Sequence, residues 1–193
     1  MKLLEDKIRR EGKILDGSIL KVSSFLNHQM DPELIMQLGE EFARRFANDK
    51  VTKILTIESS GIALALAAGY ALRAPVVFAK KHRSSNVFGD VYQTTVHSYT
   101  HGMDYNVVVE SEFLCPGDRI LLVDDFLANG KALEGLLELV RQAGAEAVGA
   151  GIAIEKGFQE GGNLLRKDGL RIESLAIVEK MEGSDIFFKQ QNE

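Results

Sequence analysis

One cysteine, no tryptophan, three prolines and no long apolar run are the first things the 193 residues show. A lone Cys115 excludes an internal disulfide and any zinc site built from several cysteines. It makes a reducing, cytoplasmic setting the default expectation. Without 18 consecutive apolar residues there is no candidate membrane span. The start, Met1 to Lys7, is charged at once and lacks the apolar centre of a signal peptide. Positive charge is also in deficit, with 23 Lys and Arg against 28 Asp and Glu, a formal net charge of −5. Nucleic-acid binding leaves a basic footprint, so no such partner is expected. The short cluster Lys80-Lys81-His82-Arg83 does not reverse the balance, but it suits a small polyanion. No repeat, low-complexity tract or Pro/Ser-rich linker divides the chain. It reads as one domain over 1–193, with about residues 1–30 forming an N-terminal appendage.

What is present is an ordinary globular balance, 45% hydrophobic and 26% charged. A chain of this length should bury roughly 70% of its unfolded surface. Residues 3–11 have helical character, and Gly12 is expected to stop them in the left-handed conformation. Ile14 to Phe25 contains short β-like pieces without a clear period. Asp31-Pro32-Glu33 is a helix start, Asp as cap and Pro at the first position. Leu34, Leu38, Phe42 and Phe46 then form one apolar stripe. Strands are expected at 53–58, 75–79, 119–124 and 147–154, and helices at 62–72 and from Leu133 to Gly144. The polar stretch 84–105 reads as a mobile β-ribbon or loop. Alternation of helices with uninterrupted apolar strands predicts an α/β fold, a mostly parallel twisted sheet flanked by helices. Ligands bind such sheets at the carboxyl ends of the strands.

The strand 119–124 is the most informative, because it runs into Asp124-Asp125-Phe126-Leu127-Ala128-Asn129-Gly130-Lys131-Ala132. Small residues let a turn curl so that successive amides point into one concavity. Those amides and the positive end of the following helix dipole suit a phosphate dianion. Two carboxylates just before the turn are acceptors for hydroxyls or a divalent cation. Donors for phosphate beside acceptors for hydroxyls describe a cradle for ribose 5-phosphate. Asn129-Gly130 is also a hairpin signal, but the helical period that follows argues against a hairpin. A nucleotide-triphosphate P-loop is set aside, since Asp125 stands where its first glycine belongs and Ala132 replaces Ser or Thr.

The segment resembles the phosphoribosyl-pyrophosphate motif of the type I phosphoribosyltransferases, with Ala-Asn-Gly-Lys-Ala in place of the usual Ala-Thr-Gly-Gly-Thr turn. Asp-Asp-Phe-Leu-Ala-Asn-Gly is similar to the xanthine branch of that family. Its other landmarks, Phe25-Leu26-Asn27-His28-Gln29, Ile57-Glu58-Ser59-Ser60-Gly61-Ile62 and Ile154-Glu155-Lys156, occur in the matching order along the chain. The resemblance implies a type I phosphoribosyltransferase fold with an N-terminal hood, and transfer of phosphoribose from phosphoribosyl pyrophosphate to xanthine. Asp124 and Asp125 would then serve the ribose, and Ala128, Asn129, Gly130, Lys131 and Ala132 the 5-phosphate. Ser59, Ser60, Gly61 and Lys81 would hold pyrophosphate. Leu20, Asn27 and Lys156 would contact the base, with Phe126 or Phe158 stacking on it. Mg²⁺ would arrive on the substrate's pyrophosphate, with no metal site of the protein's own, and a homodimer is implied.

Plainer readings stand beside each role. Ser60 can be a simple helix cap, Lys80 to Arg83 a solvated charge run, Lys156 an exposed strand-end lysine, and either phenylalanine core packing. A transferase for guanine or hypoxanthine, and a regulator that senses phosphoribosyl pyrophosphate without turnover, are the rival functions. Neither G-x-S-x-G nor a dinucleotide fingerprint occurs.

Overall fold

The computed structural model describes residues 1–81, 89–98 and 103–191. Helix α1 (Lys2–Glu11) leads into a hairpin of β1 (Lys13–Leu15) and β2 (Ile19–Lys21). Asp16 and Gly17, both at positive φ, turn that hairpin. Then come α2 (Pro32–Arg45), β3 (Lys53–Ile57), α3 (Gly61–Leu72) and β4 (Val76–Ala79). Next are β5 (Val91–Ser98), β6 (Met103–Glu110), a short 3-10 turn (Ser111–Phe113) and β7 (Arg119–Leu127). The chain finishes with α4 (Lys131–Gln142), β8 (Glu146–Lys156), α5 (Gly161–Lys167), β9 (Ile172–Glu182) and β10 (Asp185–Phe188).

The main sheet runs β10-β9-β8-β7-β3-β4, parallel throughout except for β10. Its strands are apolar on both sides because both faces are covered. Ile54, Leu121 and Val123 join α1, α2 and α3 in one core, whereas Leu55, Ile120 and Leu122 join α4 in the other. The α2 stripe is buried as expected, and Asp31 caps the helix by accepting from the Leu34 amide at 3.2 Å.

From β3 the chain winds outward to β4, and from β7 it winds the other way to β8 and β9. The reversal lies between β3 and β7, the point where an open α/β sheet forms its ligand crevice. There the two strands part company. Pairing of β3 with β7 ends at Leu55↔Leu122, while β7 stays paired with β8 as far as Leu127↔Glu155.

Two expectations are corrected. Gly12 stops α1 in an extended conformation, φ −68 and ψ 147, not a left-handed one. Glycine is needed there for space, since a Cβ would lie 2.5 Å from the Ile8 carbonyl oxygen. The strand expected to end at Asp124 continues to Leu127, held by the long neighbour β8. Of the polar stretch 84–105, the described parts form an antiparallel ribbon of β5 and β6; 84–88 and 99–102 lie outside the described residues.

Candidate active site

Asp124 and Asp125 sit where β7 has left β3 behind, and both are buried, at 5% and 7% exposure. As neighbours on a strand they project to opposite sides. Asp124 meets the start of α3, where a Cβ on Gly61 would lie 3.2 Å from its Oδ1. Its Oδ1 also accepts from the Asp125 amide at 2.9 Å. Asp125 instead faces the N-terminal segment and accepts from Asn27 Nδ2 at 3.2 Å.

Burial, and then the charge of Asp125, push the Asp124 carboxyl well above the usual carboxylate range, with Lys81 opposing them. The folded chain therefore holds this proton more tightly than the unfolded chain. Stability falls as pH rises from the ordinary carboxylate pKa of about 3.9 toward the raised value. Asp124→Asn removes that liability and keeps the acceptor for the Asp125 amide. Ligand-free Asp124→Asn is expected to melt above wild type at pH 7.5, with the gain shrinking to nothing near the ordinary carboxylate pKa. Thermal melts at the two pH values check this, and a lower melting temperature at pH 7.5 would contradict it.

After Leu127 the chain turns through Ala128 and Asn129 to Gly130, whose φ of +86 a side chain would resist. Asn129 Oδ1 accepts from the Lys131 amide at 3.4 Å. Gly130 occupies the cap position of α4 and offers no side chain to the first amides. They remain directed at the turn, together with the positive end of the helix. The Lys131 ammonium is held by Glu134 at 2.7 Å.

A cleft of about 180 Å³ borders this turn, lined by Phe126 to Leu133 and, from the ribbon, by Val96, His97 and Tyr105. The ribbon is seated by two main-chain bonds of 2.9 Å between Lys80 and Val108. It is seated again where the Gln142 side-chain amide bonds the backbone of Gln93 at 3.1 and 3.0 Å. Gly135 permits the approach, because a Cβ there would lie 2.4 Å from Val96 Cγ2.

On the β3 side, the Glu58–Ser59 peptide is cis and Ser60 precedes α3. The Ser60 hydroxyl makes no capping bond, so the simple-cap reading does not describe it. Glu58 Oε1 accepts from the Lys81 amide at 2.6 Å, tying the end of β4 to that of β3. The Lys81 ammonium lies 5.4 Å from the Tyr105 ring. Ser59 to Gly61, Lys81 and the two aspartates thus gather at the ends of three adjacent strands. His82 and Arg83 lie outside the described residues.

Lys156, at the end of β8, donates to the Ser18 carbonyl at 3.3 Å and so meets the β1–β2 turn. Partial burial pushes its amine below the ordinary lysine value. The Leu20 side chain is buried in the core. Phe126 is half-buried and lines the cleft, while Phe158 is 42% exposed and does not line it. Sequence reasoning missed Tyr105, and it missed α5 behind the 128–130 turn; two adjacent glycines in a seven-residue helix give almost no periodic signal.

A parallel sheet with its crevice at the β3–β7 reversal, paired buried acids and a small-residue turn opening a helix define a class, and the sequence comparison agrees. Residues 23–179 match the family model described as phosphoribosyl transferase domain, and the chain belongs to the phosphoribosyltransferase family. It is 54% identical over 185 residues to the xanthine phosphoribosyltransferase of Lachnoclostridium phytofermentans, covering 96% of this chain and 95% of that one. It is 47% identical over 189 residues to the xanthine phosphoribosyltransferase of Ligilactobacillus salivarius, covering 98% of each. Among solved structures, adenine phosphoribosyltransferase from Giardia lamblia, complexed with 9-deazaadenine, superposes with a TM-score of 0.76 at 22% identity. That match covers 90% of this chain and 96% of the other, and it bears on the fold.

Proposed function

We infer that the chain is a purine-salvage enzyme that transfers 5-phosphoribose from phosphoribosyl pyrophosphate to xanthine, releasing xanthosine 5′-monophosphate and pyrophosphate. The observation that carries this reading is the meeting of the buried Asp124–Asp125 pair with the 128–132 turn at the crevice. Full-length similarity to xanthine phosphoribosyltransferases supports the choice of base. A base nitrogen attacks C1 of the ribose as pyrophosphate leaves, through an oxocarbenium-like state. No covalent enzyme intermediate is needed, so the protein acts by positioning and electrostatics. Asp124 and Asp125 accept from the ribose hydroxyls and stabilise the developing positive charge. Amides of Ala128 to Ala132 hold the 5-phosphate, and Ser59, Ser60, Gly61 and Lys81 receive the pyrophosphate.

Mg²⁺ carried on the substrate's pyrophosphate would supply positive charge to offset that of the leaving group. Oxygen donors suit that ion, and Asp124 and Asp125 are the buried acids at the site. Asn27 already commits one amide hydrogen to Asp125, which sets its other donor toward a 2-oxo group on the base. Lys156 addresses the oxygen at purine C6, Leu20 contributes its backbone, and Phe126 or Phe158 stacks on the ring. A homodimer is part of the proposal, supported by the exposed apolar groove of Met30, Met36, Leu66 and Tyr70 between α2 and α3. Light scattering tests it. A cytoplasmic setting is supported by the chain's lone, exposed thiol.

Nucleotide formation from phosphoribosyl pyrophosphate and Mg²⁺ with xanthine, guanine, hypoxanthine and adenine separately tests the whole. Xanthine should be strongly preferred. Preference for guanine or hypoxanthine would overturn the base assignment, and no product with any base would favour a non-catalytic sensor. Lys156→Met is expected to raise the KM for xanthine by about ten- to a hundred-fold, the range for one hydrogen bond to a charged group. The KM for phosphoribosyl pyrophosphate should stay within about twofold; equal rises in both would remove Lys156 from the base pocket.

A further inference from the structure

We propose that Glu155 is a positioning residue for the 5-phosphate site, acting through Arg166 and α5 on the backbone of the 128–130 turn. The proposal rests on the phosphate-binding role given to that turn above. Glu155 is 4% exposed and lies across the sheet from Leu127, the last residue before the turn. Both its oxygens are engaged by the Arg166 fork, Nη1 to Oε1 and Nη2 to Oε2, each at 2.7 Å. The buried Ser174 hydroxyl also donates to Oε2. Burial pushes this carboxyl up, but the Arg166 and Ser174 bonds outweigh it and leave it below the usual range. The fork and the hydroxyl clamp the carboxylate in one geometry.

What the clamp holds is α5. Seven residues opening with Gly161-Gly162 would not persist as a helix unaided, since nucleation is costly and glycine disfavours helix. Its placement depends on tertiary anchors, of which the Arg166 fork and buried Leu165 are the evident ones. The start of α5 is pressed between the clamp and the turn. A Cβ on Gly162 would lie 2.2 Å from Glu155 Oε1. A Cβ on Gly161 would lie 2.4 Å from the Asn129 carbonyl carbon and 2.5 Å from both Ala128 O and Gly130 N. The turn that aims amides at phosphate is therefore backed by a helix that Glu155 fixes in place.

Glu155→Gln keeps the shape and removes the charge that Arg166 needs. In protein shown to be folded at 25 °C by circular dichroism, calorimetry with ribose 5-phosphate reads the turn and the ribose contacts without the base or the pyrophosphate. The dissociation constant is expected to rise about tenfold, a shift of roughly 1.4 kcal/mol. The KM for xanthine and inhibition by pyrophosphate should stay within about twofold. Arg166→Lys, which keeps charge but loses the fork, should show a smaller rise in the same constant only, and it decides the matter if Glu155→Gln does not fold. Unchanged ribose 5-phosphate binding, or equal weakening for all three ligands, would overturn the proposal. Wild type that fails to bind ribose 5-phosphate would overturn the phosphate role of the turn itself, a distinct result.

Discussion

Alanine at both Asp124 and Asp125 is expected to lower kcat/KM for phosphoribosyl pyrophosphate by about a hundred-fold to ten-thousand-fold. A hydrogen bond to a charged group contributes about 1.5–3 kcal/mol, two such bonds about 3–6, and roughly 1.4 kcal/mol is tenfold in rate. Both carboxylates are buried at the crevice proposed to take the ribose. Desolvation makes their effect on developing positive charge stronger than at a wet surface. The loss should fall on kcat as well as KM, because the charge they face grows toward the transition state. Folding should not suffer in proportion, since burial and the charge of Asp125 make an ionised Asp124 unfavourable in the ligand-free fold. Steady-state kinetics with varied phosphoribosyl pyrophosphate, alongside a thermal melt, separate the two effects. A double variant with near-normal turnover would remove the pair from the chemistry. Loss of activity matched by loss of folding would assign them to structure instead.

The run from Arg119 through Lys131 was legible because its signals coincide: an uninterrupted apolar strand, two acids, small residues, then a helical period. Where β7 ends was not legible. Aspartate is disfavoured in strands, so the sequence suggests a stop at Asp124, but eleven residues of β8 keep the ladder going to Leu127. The hairpin of β1 and β2 carried a turn signal in Asp16-Gly17, yet three-residue strands are too short to show a period. Lys81 illustrates a different limit. Nothing local separates a solvated charge run from a functional lysine; the bond from its amide to Glu58, 23 residues earlier, places it at the crevice. Gly12 misled because glycine has two uses, and close packing against Ile8 applied here rather than a positive φ. Glu155 was visible only as a neighbour of Lys156, since its partners Arg166 and Ser174 come together through an unread helix and strand.

Gly161→Ala is expected to cost about a hundred-fold in kcat/KM for phosphoribosyl pyrophosphate, the scale of an ångström-sized misplacement at a positioned site. Helix preference alone predicts the opposite sign for stability, since alanine in α5 gains up to about 1 kcal/mol over glycine. Space decides otherwise. The added carbon would stand 2.4–2.5 Å from three atoms of the Ala128–Gly130 backbone, and backbone cannot rotate aside as a long side chain can. Either α5 retreats or the turn deforms. Both responses disturb the amides before they disturb the core, so activity should fall further than the melting temperature. The defect should sit mainly in the KM for phosphoribosyl pyrophosphate, with xanthine binding little changed. Asn163→Ala, on the exposed face of the same helix, should remain within about twofold of wild type and reports any general effect of altering α5. If Gly161→Ala is as active as Asn163→Ala, the turn is compliant, and rigid backing by α5 is not what holds the phosphate amides in register.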